Sequence, residues 1–354
     1  MHVREASMPL DRATWRANML SLLTALLVAT VGLACQPDAW TATATATPPA
    51  GARAKRSSAA TQETPRKDRT AKPAASHADS QQAAHKADKA DKASDFVRFR
   101  VDKDDKPIAL ETAVTHYVVA SGPHKGVRVD LIGAIHIGEK SYYEQLNKLF
   151  ATYDAVLYEL VASEAACVPD PRRAAKSKHP ITILQTAMKD VLELQFQLDL
   201  IDYGQPNMVH ADMSPTEFAK SMKDRGESFL QMFLRMMGKA MLTQTQSKNA
   251  PNEMQLLVAL FSRNRALKLK QVLARQFQDM ELQTSALSGP DGSTIITERN
   301  KKALEVLRRE IKSGKRHLAI FYGAGHLADM ESRLRKDFSM RRTGQKWLVA
   351  WSLQ

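Results

Sequence analysis

From Phe96 onward the chain carries a readable alternation of apolar and polar positions. Phe96 to Val101 alternates, Thr112 to Ala120 is rich in β-branched residues, and Ser121-Gly122-Pro123-His124-Lys125-Gly126 is a turn leading into Val127 to Ile132. These segments predict two or three antiparallel strands. The last of them runs into Gly133-Ala134-Ile135-His136. Gly138 to Ala151 places Tyr142, Leu146, Leu149 and Phe150 at helical spacing, and Ala155 to Val161 reads as a buried strand. Strand, helix and strand joined by short connections predict a parallel crossover.

Further along, Asn207 to Ala211 reads as a strand ending at Asp212, and Ser214-Pro215-Thr216-Glu217 carries a cap, a first-turn proline and an acidic third position. Helical spacing then extends to about Leu282, interrupted near Thr243 to Pro251, and its Phe229 to Met237 is apolar almost all round. That stretch reads as a core helix in preference to a membrane-binding face. After a loop from Ser285 to Ser293, Thr297 is expected to cap a helix from Glu298 to Ser313, and Arg316 to Tyr322 is a strand delivering Gly323-Ala324-Gly325-His326. A closing hairpin is expected from Phe338 to Arg342 and Lys346 to Ser352. The fold class that follows is α/β: a mixed, largely parallel sheet flanked by helices, in which a strand, a Gly-x-x-His element and a helix follow one another twice.

The first 95 residues change the picture. Arg4, Arg12 and Arg16 precede an apolar stretch from Met19 to Ala34 that ends in small residues at Cys35. This reads as an export signal over 1–35. Gly32-Leu33-Ala34-Cys35 is similar to a bacterial lipoprotein signal, with Cys35 the acylated residue, and an uncleaved anchor is the alternative. Residues 36–95 are Thr-Ala repeats, Pro, Ser, Gln and scattered charge, a composition that cannot bury enough surface to fold. As a flexible tether of about 55 residues it would reach roughly 40 Å. One compact domain, 96–354, is left on a membrane-tethered protein facing the periplasm or the exterior. The net charge is +13, and thirteen basic against nine acidic residues in 1–95 leave +9 on the domain. Such a balance favours anionic surfaces. No zinc-finger spacing and no basic strand interleaved with aromatics is present, so nucleic acid is not expected as a partner.

The candidate chemistry lies in the two Gly-x-x-His elements, Gly133 to His136 and Gly323 to His326. A glycine just past a strand permits a sharp turn and close approach of a ligand. The histidine that follows is expected at a helix start, where the dipole disfavours imidazolium and leaves a lone pair for a metal or a proton. Parallel strands end at one edge of the sheet, and ligands of open α/β folds bind there. That topology places His136 and Glu159 together, allows Asp212 to reach the same edge, and turns Glu298 and Arg299 toward His326. Two histidines and a carboxylate are chemically sufficient to bind a divalent ion and activate water. His210 and Asp212 are candidates to support the ligands from behind, with a backbone-satisfied core histidine as the alternative for His210. His116 and His317 read as surface or strand residues, and Cys167 as a loop thiol.

In their order, Leu131-Ile132-Gly133-Ala134-Ile135-His136, the strand ending in Tyr158-Glu159, Glu298-Arg299-Asn300 and Phe321-Tyr322-Gly323-Ala324-Gly325-His326-Leu327 resemble the TraB/PrgY/GumN and Tiki family, within the erythromycin esterase and ChaN-like superfamily. The resemblance covers about residues 96–354. It implies an α/β fold of two related halves and, from the Tiki members, a metal-dependent protease. His136, Glu159, Glu298 and His326 would then be ligands or acid/base groups, and Arg299 would hold a carboxylate or oxyanion. Other members are described as limiting peptide pheromones, and ChaN-like relatives bind haem. Two readings follow: a metal-dependent hydrolase of a peptide or other amide or ester in the cell envelope, or an envelope protein that binds a peptide or haem without turnover.

Overall fold

The computed structural model describes residues 96–163, 168, 191–228, 253–285 and 292–354. The expected export signal with Cys35, the tether, the apolar stretch 229–237 and Cys167 lie outside the described residues. No helix among the described residues is long and apolar enough to cross a membrane.

The first strands follow the alternation of the sequence. β1 (Val97–Val101) pairs antiparallel with β2 (Pro107–Val119), and β2 with β3 (Arg128–Ala134). After β3 the chain makes the short β4 (Ile137–Gly138) and then α1 (Lys140–Phe150). β5 (Ala155–Tyr158) follows, then β6 (Gln195–Phe196), the single turn α2 (Gln197–Leu200), β7 (Met208–His210) and α3 (Pro215–Asp224). The remaining elements are α4 (Glu253–Leu260), α5 (Arg265–Ser285), a π-helical turn Thr294–Glu298 leading into α6 (Arg299–Lys312), β8 (His317–Gly323), α7 (Ala324–Asp337) and β9 (Met340–Ser352).

Seven strands form one mixed sheet in the order β1-β2-β3-β8-β5-β7, with β9 also paired to β2. Its parallel part is β3, β8, β5 and β7, and β4 and β6 pair separately. The parallel strands are apolar on both faces because helices cover both, so Leu131, Ile132, Ile320 and Leu157 are all fully buried. On one face Phe150 of α1 meets Phe321 at 4.9 Å. Leu327 of α7 lies against Gly133, where an added Cβ would also crowd the Phe96 carbonyl at 3.4 Å. Fully apolar burial of this kind stabilises by roughly 1.5–3 kcal/mol per large side chain.

Four sequence expectations differ from the structure. β8 inserts between β3 and β5, so the first crossover skips a strand. The capping box at α3 is present, with Ser214 accepting from the Glu217 amide and Glu217 returning to the Ser214 amide. At the start of the α6 segment, however, the cap is Ser293, whose side chain accepts from the Ile296 N–H; the Thr297 hydroxyl instead accepts from the Ser293 N–H. The closing hairpin is a single 13-residue strand. Gly344, which reads as a turn, sits within it opposite His116, because β2 is long enough to pair with β9 from Ala109 to Val119. Finally, His136 precedes β4 and lies outside a helix, whereas His326 is the third residue of α7.

Candidate active site at the strand ends

β3 and β8 run parallel in register from Arg128 opposite His317 to Ala134 opposite Gly323, so both Gly-x-x-His elements leave the sheet at its C-terminal edge. β5 runs parallel on the far side of β8, with Tyr158 opposite Phe321. Glu159, one residue beyond, donates its amide to the Phe321 carbonyl and accepts the Gly323 amide on Oε2 at 2.6 Å. The inserted β8 therefore places Glu159 directly against the second Gly-x-x-His element. An added Cβ on Gly323 would stand 3.3 Å from that carboxylate, so a side chain there would press Glu159 back by a few tenths of an ångström.

Arg299 opens α6 at the same edge. Its Nε donates to Asp212 Oδ1 at 2.9 Å, and its Nη2 donates both to Asp212 Oδ2 and to Glu159 Oε1, the latter at 2.7 Å. The Asp212 side chain is completely buried. A side-on, two-point pair of this kind fixes the guanidinium plane as well as its charge. Burial by itself would raise the Glu159 carboxyl. Arg299, the two histidines and the Gly323 amide outweigh it and hold the group at about 2. With both imidazoles neutral, the Arg299, Asp212 and Glu159 trio carries one net negative charge.

His326 lies 3.6 Å from Glu159 through its Nε2. Its other nitrogen, Nδ1, is 2.7 Å from Asn300 Oδ1. Asn300 Nδ2 donates to the His326 carbonyl at 3.0 Å and to Asp329 Oδ2 at 2.8 Å, partners that can only accept. The amide oxygen is thereby assigned to the histidine, so Nδ1 carries the proton and Nε2, 3.6 Å from Glu159 Oε1, keeps its lone pair. Burial pushes the His326 pKa down to about 4, against the opposing pull of Glu159.

His136 is likewise shifted down by burial, with Glu159 opposing and Arg299 reinforcing. Its Nδ1 and Gln197 Oε1 are both buried without a hydrogen bond of good geometry, although the Gln197 side chain lies near enough to the ring to favour its protonated form. The two residues are already linked, since the Gln197 amide donates to the His136 carbonyl at 2.8 Å, and Gln197 Nε2 is anchored on the Tyr203 hydroxyl at 2.8 Å. One side-chain amide thus stands beside each histidine.

The remaining expected residues lie elsewhere. Glu298 Oε1 is bound by Lys301 at 2.9 Å and Arg225 at 3.3 Å, turned away from the histidines by one helical step from Arg299. His210 Nε2 contacts the Leu160 carbonyl at 2.6 Å, which accounts for its ring as a backbone-satisfied one. Asp212 acts on Arg299. Gln197 carries no sequence signal of its own, and Asn300 only its place in Glu298-Arg299-Asn300. Asn300 could have been found as the residue beside Arg299 in a helix aimed at His326, but Gln197 lies 61 positions from its histidine.

No three His, Cys, Asp or Glu side chains among the described residues converge closely enough to hold a metal ion. The His326 Nε2 and Glu159 Oε1 pair supplies two donors, and their 3.6 Å separation suits an ion bound at about 2.0–2.2 Å from each. His136 is the third donor by chemistry, but it does not complete such a group as placed. Compared with protein-family models, with curated proteins and with solved structures, the chain has no match.

Proposed function

We propose that the C-terminal edge of the sheet is the centre of a metal-dependent hydrolase acting on a peptide, or another amide or ester, in the cell envelope. The observation that carries this reading is His326 Nε2 standing 3.6 Å from Glu159 Oε1, with the Nδ1 proton committed to Asn300. A base near neutrality wants a pKa near 7. His326 at about 4 and Glu159 at about 2 are poor proton acceptors but permanently available electron-pair donors. Such groups suit ligation, which protons otherwise oppose. The resemblance to the TraB and Tiki family supports the same assignment, with His136, Glu159 and His326 as ligands.

A bound divalent ion supplies Lewis acidity toward a carbonyl oxygen and acidifies water. The chain's own groups do the rest. Arg299 and the Gly323 amide hold the two Glu159 oxygens in fixed directions, leaving Oε1 a second lone pair beside the Arg299 bond. Asn300 orients His326, and a small rotation that joins His136 Nδ1–H to Gln197 Oε1 would turn the His136 Nε2 lone pair outward in the same way.

The test is metal content of the purified full chain, together with turnover of a quenched peptide library with and without added Zn²⁺, Mn²⁺ or Co²⁺. Retained metal that is lost in His326→Ala and Glu159→Gln, with turnover lost in both, is the expected result. A chain that retains no divalent metal and whose turnover is unchanged in both variants refutes the proposal. Peptide or haem capture without turnover would point to the non-catalytic reading.

A further inference from the structure

At the opposite end of the same strands the sheet carries a second cluster of titratable groups. β3 begins at Arg128 and β8 at His317, and Asp130 lies six residues before His136, about 20 Å along an extended chain. Asp130 is 5% exposed. Its Oδ1 is 2.9 Å from His116 Nδ1, its Oδ2 accepts the Tyr153 hydroxyl at 2.7 Å, and His317 Nε2 stands 4.0 Å from Oδ2. The His317 ring stacks on Tyr153 with centroids 4.5 Å apart. Since a carboxylate only accepts, His116 Nδ1 carries the proton, and its Nε2 has no partner among the described residues.

These groups form the floor of a cavity of about 820 Å³ between the sheet face and α1. Register explains why it exists. Across the sheet, Gly344 of β9 lies opposite His116, and His116 opposite Asp130, so the strand beside the histidine contributes no side chain at that point. The walls are mainly apolar, with Val114, Leu149 and Leu348 among them, and Arg128, Lys148 and Lys346 also line it. All three cations are exposed and make no ion pair among the described residues. An apolar cleft of several hundred Å³ with a few placed polar groups is what small-molecule sites present. Asp130 keeps its negative charge beneath the floor with His116 and Tyr153 on its two oxygens, so an anionic group is favoured at the rim beside the exposed lysines and away from Asp130.

We propose that this cavity is a second binding site, separate from the Glu159 and His326 edge, for a small amphipathic anion. Its apolar ring or short chain lies on Val114, Leu149 and Leu348, and its carboxylate, sulfonate or phosphate is held by Lys148 and Lys346. A ligand hydroxyl or amide donates to His116 Nε2. The site does not depend on the hydrolytic reading of the other edge.

Calorimetric titration of the full chain in lipid nanodiscs, with empty nanodiscs subtracted, tests this using naphthalene-1-sulfonate and the uncharged naphthalene-1-methanol. The sulfonate is expected to saturate and to bind at least about tenfold more tightly than the alcohol, a preference worth about 1.4 kcal/mol. Lys148→Gln/Lys346→Gln should remove the preference while leaving the alcohol unchanged. Gly344→Leu should weaken both ligands by filling the cavity. A Cβ at position 344 meets only the His116 ring, at an ordinary 3.6 Å, so the backbone accepts a side chain there, and thermal unfolding identifies the folded variant before its binding is read. The proposal is overturned if the sulfonate does not saturate, if the two probes bind alike, or if the double lysine variant keeps the preference. A folded Gly344→Leu that binds as the parent does also overturns it.

Discussion

Arg299→Met removes a cation that touches both carboxylates of the strand-end site. The loss comprises the two-point contact with Asp212, whose side chain is fully buried, and the 2.7 Å contact with Glu159, whose side chain is 15% exposed. Breaking a buried pair by removing one partner costs about 3–5 kcal/mol, a large share of the roughly 5–15 kcal/mol that holds a domain together. The pH dependence separates this cause from simple loss of packing. Two unit charges about 4 Å apart at an effective dielectric of 20 interact by about 4 kcal/mol, close to 3 pKa units. Without Arg299, Glu159 should therefore rise from about 2 to above its ordinary value. A carboxyl raised in the folded state contributes stability at low pH and loses it as pH rises through the folded pKa. Urea unfolding of parent and variant at pH 7 and pH 5 reads the difference directly. The deficit should be about 3–5 kcal/mol at pH 7 and smaller at pH 5, and Arg299→Met/Asp212→Leu should recover part of it. A deficit below about 1 kcal/mol at pH 7, or one that stays constant or grows at pH 5, refutes the electrostatic account.

The parent should show the opposite trend from His326. Its folded pKa is depressed from 6.5 to about 4, so the unfolded chain binds more protons between those values and stability falls as pH drops through that window, by up to about 3 kcal/mol. A His326→Gln chain should lack that component, and an unaltered pH slope would count against it. Asn300→Ala should release the His326 tautomer, visible by ¹⁵N NMR as loss of the Nδ1-protonated form, with turnover reduced; a tautomer that survives the change would remove Asn300 from its positioning role. Ser214→Ala should cost about 1 kcal/mol through the lost α3 cap, measured by denaturant midpoint, without changing metal content.

Much of the architecture is written in local pattern. The period of two from Phe96 to Val101, the apolar run Ala155 to Tyr158 and the Ser-Pro-Thr-Glu start of α3 each specify their element because only near neighbours decide strand alternation and helix capping. The same reasoning carried both Gly-x-x-His elements, Glu159 and Arg299 to one edge, since parallel strands must end together.

Tertiary structure decided what touches what. Strand order is a long-range choice that no local period encodes, and inserting β8 between β3 and β5 put Glu159 against Gly323 and His326. Glu298 and Arg299 are adjacent in sequence, yet about 100° of helical rotation sends one to Arg225 and Lys301 and the other to Asp212 and Glu159. Gly344 reads as a turn until the 13 residues of β2 offer it a partner, and the cavity over His116 exists because Gly344, opposite that histidine, lacks a side chain. The sequence by itself determined which residues stand at strand ends, through periodicity. The pairing of charges, the tautomer of His326 and the space beside Asp130 depend on distances between segments remote in sequence, and those are set only when the chain packs.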